Sequence, residues 1–223
     1  MTKSVFITAT GTDIGKTYIS ALILKELRKN NFNCGYFKPV LSGVEVKNNK
    51  LDKSDCNYVI ETAKLNTLPE DCVSYYWEEA VSPHLASQRI NEKIDRNKIL
   101  KDFTNLKSKY DYLLVEGAGG ITCPLVIENT EQYLLKDLIK DLDIPIIIIA
   151  DGGLGTINST LLTVEYAKLH NIKIQGIILN NYDCDNFMHK DNFKQIEALT
   201  NIKIIATVGK NQASINSLDK YFN

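Results

Sequence analysis

Short β-branched apolar runs alternate along this chain with stretches in which apolar residues recur every three to four positions. The two periods mark strands and amphipathic helices respectively. Ser4 to Thr8 predicts a first strand. Lys16 to Asn30 puts Ile19, Leu22, Ile23 and Leu27 on one face and predicts a helix. Further strands are predicted at Cys34 to Phe37, Tyr112 to Glu116, Ile144 to Ala150, Ile174 to Leu179 and Ile202 to Thr207. Further helices are predicted at Asp55 to Lys64, Pro83 to Ile90, Lys98 to Ser108, Leu134 to Leu142, Asn158 to His170 and Phe187 to Leu199. The run ending at Ala150 lacks polar alternation, as a strand covered on both faces does. Alternation of this kind implies an α/β fold: one domain over residues 1–223, with a mostly parallel sheet and helices on both faces. No repeat or linker interrupts it. The polar stretch Val46 to Ser54 is expected to be a mobile loop, not a domain boundary.

Charge narrows the picture. With 26 Lys+Arg against 27 Asp+Glu, the chain lacks the basic excess of a nucleic-acid binder. No apolar run approaches the ~20 residues of a membrane span, and Met1 to Thr8 turns polar too soon for a signal peptide. A cytoplasmic protein without nucleic-acid or membrane partners is expected. Five cysteines, none spaced as CxxC, are expected to be reduced packing residues. His84, His170 and His189 show no metal spacing. His84, at a predicted helix start, is expected to make a structural polar contact, and Tyr75, Tyr76 and Trp77 to pack.

Ligands of parallel α/β sheets bind beyond the carboxyl ends of strands, and three motifs fall there. The first is Gly15-Lys16-Thr17, between the first strand and the first helix. Glycine admits phosphate to the backbone, the helix start offers free N–H groups, Lys16 can reach the β- and γ-phosphates, and Thr17 can ligate magnesium. The strict GxxxxGK(S/T) spacing is not met, because Thr10 stands where the first glycine would be. A loop one residue longer begins at Ala9. The second motif is Phe37-Lys38-Pro39, where proline favours an extended Lys38 whose ammonium can stabilise a transferring phosphoryl group. The third is Glu116-Gly117-Ala118-Gly119-Gly120, a carboxylate at a strand end followed by a glycine-rich turn. Asp55 is a second candidate carboxylate, although taken alone it reads as no more than a good helix-starting residue. Thr17, Asp55, Glu116 and phosphate oxygens would make a hard magnesium site. With the phosphate loop in place, the α/β fold reads as P-loop NTPase-like.

Taken together, these segments resemble the dethiobiotin synthetase family of biotin biosynthesis. The resemblance runs from the first strand to about Asn181 and rests on GTDIGKT, KPVLSG, KSDC, SPH, VEGAGG, LGTIN and ILNN, in that order. It implies a cyclo-ligase that uses ATP and Mg2+ to join carbon dioxide to 7,8-diaminopelargonic acid. A carbamate would form, be phosphorylated to a carbamic-phosphoric anhydride, and close to dethiobiotin with release of ADP and phosphate. It assigns Lys16 and Lys38 to the transferring phosphoryl group and carbamate, and Thr17, Asp55 and Glu116 to magnesium. Asp13, Ile14, Gly15, Lys16, Thr17 and Tyr18 would wrap the phosphates. Glu116, Gly117, Ala118 and Gly119 would line the nucleotide, and Asn180 would meet the adenine edge. Thr12 and Ser42 would contact the diamine. Asn158, in Thr156-Ile157-Asn158, would hold the substrate carboxylate across a homodimer.

The chain departs from the family's pattern in three places. Ala9 and Gly11 replace a glycine and an aspartate of the loop, Thr207-Val208-Gly209-Lys210 stands for a late Ile-Pro segment, and Phe193 is the aromatic nearest to a usual tyrosine. Two other readings share the fold. A partitioning-type switch ATPase would need a lysine where Gly11 stands. An amidotransferase-type synthetase would need a glutaminase domain, for which the assigned elements leave no room.

Overall fold

The computed structural model describes residues 2–48, 50–128, 132–215 and 218. Along the chain, β1 (Lys3–Ala9) leads to α1 (Lys16–Lys29), then to β2 (Cys34–Ser42) and a hairpin of β3 (Glu45–Lys47) and β4 (Lys50–Lys53). Next come α2 (Asp55–Ala63), a single 3-10 turn (Pro69–Cys72), β5 (Val73–Trp77), α3 (Pro83–Arg89), α4 (Arg96–Lys107) and β6 (Tyr112–Glu116). The remainder is β7 (Pro124–Ile127), β8 (Gln132–Leu134), α5 (Leu135–Leu142), β9 (Ile146–Asp151), α6 (Thr156–Leu169), β10 (Ile174–Asn180), α7 (Phe187–Thr200) and β11 (Ile204–Thr207).

Seven strands form one sheet in the order β11-β10-β9-β1-β6-β2-β5, and every pairing in it is parallel. The side-chain alternation of β9 explains its unbroken apolar sequence. Ile146, Ile148 and Ala150 enter one core with residues of α3, α4, α5, α6 and α7, while Ile147 and Ile149 enter the other with α1 and α2. A strand buried on both faces has no polar positions to spare. β1 divides likewise, with Phe6 to the first core and Val5, Ile7 and Ala9 to the second. The predicted two-sided parallel architecture is therefore the observed one.

Three local expectations are corrected. Val46 to Ser54 is not a loop throughout: it contains most of the β3–β4 hairpin, pinned by buried Leu51 and by the Lys53–Glu45 and Lys47–Asp52 ion pairs. Its polarity reflects two anchoring side chains, buried Leu51 and half-buried Val46, among solvated ones. β2 extends past Phe37 to Ser42, so Lys38 and Pro39 lie within a strand. Proline is tolerated because pairing with β6 ends at Phe37, beyond which the recorded ladder runs only to β5, with no partner at Pro39. Finally, Val73–Trp77 is an edge strand missed by periodicity, because its five residues, ending in three consecutive aromatics, show no clear apolar–polar alternation. Tyr75 and Trp77 are buried and stack at 6.0 Å, whereas Tyr76 is partly exposed. His84 does make a polar contact, with its Nδ1 3.0 Å from the Ser82 hydroxyl.

Candidate active site

The carboxyl ends of β1 and β6 and the middle of β2 meet at one polar centre. The loop after β1 turns sharply: Asp13 and Gly15 both have positive φ, 60° and 95°. Gly15 is required twice over, since a Cβ there would also lie 2.3 Å from the Asn180 amide nitrogen. α1 starts without a side-chain cap, so its first N–H groups remain available to an anion. Lys16 is buried and folds back to donate to the Gly11 carbonyl at 3.2 Å. Its burial lowers the pKa from the ordinary lysine value, against the opposing pull of Glu116.

Glu116, the last residue of β6, is 0% exposed. Its Oε1 accepts from the Thr17 hydroxyl at 2.7 Å and from the Lys38 ammonium at 2.8 Å. Its Oε2 accepts from the Tyr36 hydroxyl at 2.9 Å. Lys38 also pairs with Asp55, which begins α2 behind a Ser54 cap that accepts from the Asn57 N–H at 3.2 Å. Burial alone would lower the Lys38 pKa. Glu116 and Asp55 overcome it and hold the ammonium well above its ordinary value. Tyr36 is pushed in the same direction by burial and by Glu116.

A cavity of about 970 Å³ opens beside this centre. Its walls include Thr12, Asp13, Gly15, Lys16, Thr17 and Tyr18, then Lys38, Ser42 and Asp55, and Gly117, Ala118 and Gly119 after β6. Further lining comes from Val40, Leu41, Gly43, Tyr58, Ala80 to Pro83 and Cys123. Asn180 ends β10 and reaches under the loop, donating from Nδ2 to the Ile14 carbonyl at 2.9 Å. Its Oδ1 is buried with no partner among the described residues. Asn158 does not reach this cavity: it sits exposed in the first turn of α6, which begins at Thr156 behind Gly155. The segment after β11 instead reaches the loop's helix, where its Gln212 carbonyl accepts from the Tyr18 hydroxyl. Tyr36 escaped sequence reasoning because a tyrosine in an apolar strand reads as packing. Only strand register reveals that its hydroxyl meets Glu116.

Oxygen donors from three elements, two lysines and a glycine-formed helix start can bind a polyphosphate with a hard cation. Fold and site together define a P-loop NTPase. Solved structures of similar fold include MinD of Aquifex aeolicus (TM-score 0.54, 16% identity, covering 99% of this chain and 86% of that one). Another is a putative plasmid partition protein of Borrelia burgdorferi bound to AMPPNP (TM-score 0.55, 16% identity, 99% and 94% covered). Residues 3–217 match the family described as an AAA domain. The ATP-dependent dethiobiotin synthetase BioD of Clostridium botulinum strain Alaska E43 is 52% identical over 204 residues, 92% of this chain and 89% of the relative. That of strain Loch Maree is 53% identical over 192 residues, 86% and 84% respectively. The chain belongs to the ATP-dependent dethiobiotin synthetase family. Among the described residues, no helix is long and apolar enough to cross a membrane.

Proposed function

We propose that this chain closes 7,8-diaminopelargonic acid and carbon dioxide to dethiobiotin at the expense of ATP, with Mg2+. The observation that carries the reading is the shared centre of Thr17, Lys38, Asp55 and Glu116 beside the phosphate loop. The donor set fits magnesium: two carboxylates and a hydroxyl are hard oxygen ligands, and Lys38 already stands between the carboxylates as a built-in cation. Thr17, Asp55 and Glu116 would hold the ion, which would neutralise charge on the β- and γ-phosphates. The unpartnered Oδ1 of Asn180 fits a base amino donor, since a buried acceptor without a partner costs free energy until one arrives.

In the proposed reaction, one amine of the diamine attacks the carbon of carbon dioxide and loses a proton, leaving a carbamate. A carbamate oxygen attacks the γ-phosphorus and ADP leaves. The second amine then attacks the carbonyl carbon of the anhydride, phosphate departs, and the amine proton is released as the ring closes. No protein nucleophile is needed. Lys16, freed from the Gly11 carbonyl, would follow the transferring phosphoryl group. Lys38, released from Asp55 when a metal takes its place, would turn to the carbamate and phosphoryl oxygens. Fixed positive charge at these oxygens lowers the barrier without reorganisation. Thr12 and Ser42 on the cavity wall would position the diamine. Asp13, Ile14, Gly15 and Tyr18 would surround the phosphates, with Gly117, Ala118 and Gly119 along the nucleotide.

We take residues 1–223 as one such domain, acting in the cytoplasm as a homodimer. Leu154 is 91% exposed just before α6, and Leu162 is exposed on that helix. A second copy that covers them would also cover the exposed Asn158 in the first turn of α6. The test is direct: purified protein is incubated with diaminopelargonic acid, bicarbonate, ATP and Mg2+, and dethiobiotin is measured by mass spectrometry. ATP hydrolysis that proceeds without the diamine and yields no dethiobiotin would overturn the reading.

A further inference from the structure

Glu116 is held by three donors, and they divide its carboxylate unequally. Thr17 and Lys38 share Oε1, while Oε2 has the Tyr36 hydroxyl at 2.9 Å. Tyr36 is 1% exposed. It lies on β2 in register with Leu114 of β6, two residues before Glu116, and its ring packs in the core shared with α1 and α2. The hydroxyl is thus delivered from the interior, on the side of the carboxylate opposite the phosphate loop's threonine. A ring wedged among core side chains cannot swing away when ligands enter. A carboxylate with both oxygens available can turn to chelate a cation; one with Oε2 engaged presents Oε1 alone.

We propose that Tyr36 is a positioning residue that fixes Glu116 so that it offers a single oxygen to the cation, and thereby sets the site's preference for Mg2+ over larger divalent ions. This rests on the magnesium reading of Thr17, Asp55 and Glu116. Mg2+ demands near-octahedral geometry with short bonds, whereas Ca2+ accepts bidentate carboxylates and higher coordination numbers. Freeing Oε2 relaxes the geometry Mg2+ needs and permits the geometry Ca2+ accepts.

The test compares wild type, Tyr36→Phe, Glu116→Gln and the double variant. Mg2+ and Ca2+ binding to the ADP-loaded proteins is measured by titration calorimetry, with ADP binding in chelator as a control. Tyr36→Phe is expected to weaken Mg2+ by about 10–100-fold, the usual cost of losing a partner behind a metal ligand. Ca2+ is expected to weaken less, and ADP binding without metal to stay unchanged. In the Glu116→Gln background, adding Tyr36→Phe is expected to change nothing further, because the tyrosine acts through that carboxylate. If Tyr36→Phe does not fold, a folded double variant that binds metal as Glu116→Gln does supports the same coupling. Wild type that takes up no Mg2+ with ADP overturns the magnesium reading and this proposal with it. Wild type that does so, beside a Tyr36→Phe variant of unchanged Mg2+ affinity and selectivity, overturns Tyr36 alone. Equal weakening of Mg2+ and Ca2+, or an undiminished effect in the Glu116→Gln background, also overturns it.

Discussion

The two flanks of the phosphate loop treat buried polarity in opposite ways. On the β2–β6 flank, Lys38, Asp55, Glu116, Thr17 and Tyr36 satisfy one another. On the β10 flank, Asn180 spends its amide nitrogen on the Ile14 carbonyl and leaves its oxygen without a partner among the described residues. The difference follows from the cost of desolvation. An unpaired buried carboxylate or ammonium costs far more than an unpaired amide oxygen. The charged flank must therefore supply its own counter-ions, whereas the neutral flank can hold a vacant acceptor. In the proposed function, ligands would compete with internal pairs on the first flank and complete a missing pair on the second.

The severest way to break this contrast is to remove the charge that balances it. In Lys38→Ala, turnover should fall by about 3–4 kcal/mol of transition-state stabilisation, by analogy with loss of one oxyanion-hole donor. Steady-state kinetics at saturating substrates checks this, and an unchanged turnover removes Lys38 from the mechanism. The same variant should lose about 3 kcal/mol of folding stability, the lower end for a broken buried pair, because the Asp55 side chain is 39% exposed. Added Mg2+ should restore part of that loss in urea denaturation. Stability indifferent to Mg2+ would mean that the ion does not enter between the carboxylates.

Gly15→Ala strikes the loop between the flanks, forcing a left-handed backbone on alanine and a Cβ against Asn180. A cost of about 1–3 kcal/mol is expected from the backbone alone, together with lost ATP binding. A variant with the wild-type denaturation midpoint would show that the loop relaxes at no cost. Asn180→Ala tests the neutral flank. It should raise the Michaelis constant for ATP by about tenfold, roughly 1.4 kcal/mol, and leave that for the diamine unchanged. An equal rise in both would separate Asn180 from the nucleotide. Asn158→Ala should raise the diamine's constant by only a few-fold, the scale of one hydrogen bond, and ATP's not at all. A monomer by light scattering at assay concentration would defeat the shared site.

The smallest expected effect concerns pH. Lys38 has its folded pKa raised by its carboxylates. Its stabilisation is thus fully present below the unfolded value of about 10.4 and is lost only as pH rises through the folded value. The stability gap between wild type and Lys38→Met in chelator should be flat from about pH 6 to about pH 9, well below that range. A gap that closes near neutrality would show that the pair is not the one described.

Much of the molecule was legible in the chain, for reasons that differ by region. The apolar run into Ala150 pointed to a strand covered on both faces, because it is too short for a buried helix, is dominated by β-branched isoleucine and lacks polar alternation. Gly15-Lys16-Thr17 after a strand determined a phosphate loop, because its chemistry lies in adjacent backbone groups. Glu116 and Lys38 were identifiable as candidates, because a charge bordering an apolar strand of a parallel sheet needs a purpose. Periodicity was too short-ranged for the rest. The β3–β4 hairpin depends on Leu51 and Val46 meeting the core and on the Glu70 and Asn57 side chains that hold the Leu51 backbone, and β5 depends on β2 beside it. Asp55 was an ambiguous helix-starting residue until α2 carried it to Lys38. Nothing in the sequence set Tyr36 apart from its apolar neighbours; the pairing of β2 with β6 placed its hydroxyl beside Glu116. The sequence by itself determined which groups are present and the local backbone of the longer apolar strands and amphipathic helices. Tertiary structure alone decided which of them share a proton or a charge, since that depends on distances of 3 Å between residues about 80 positions apart.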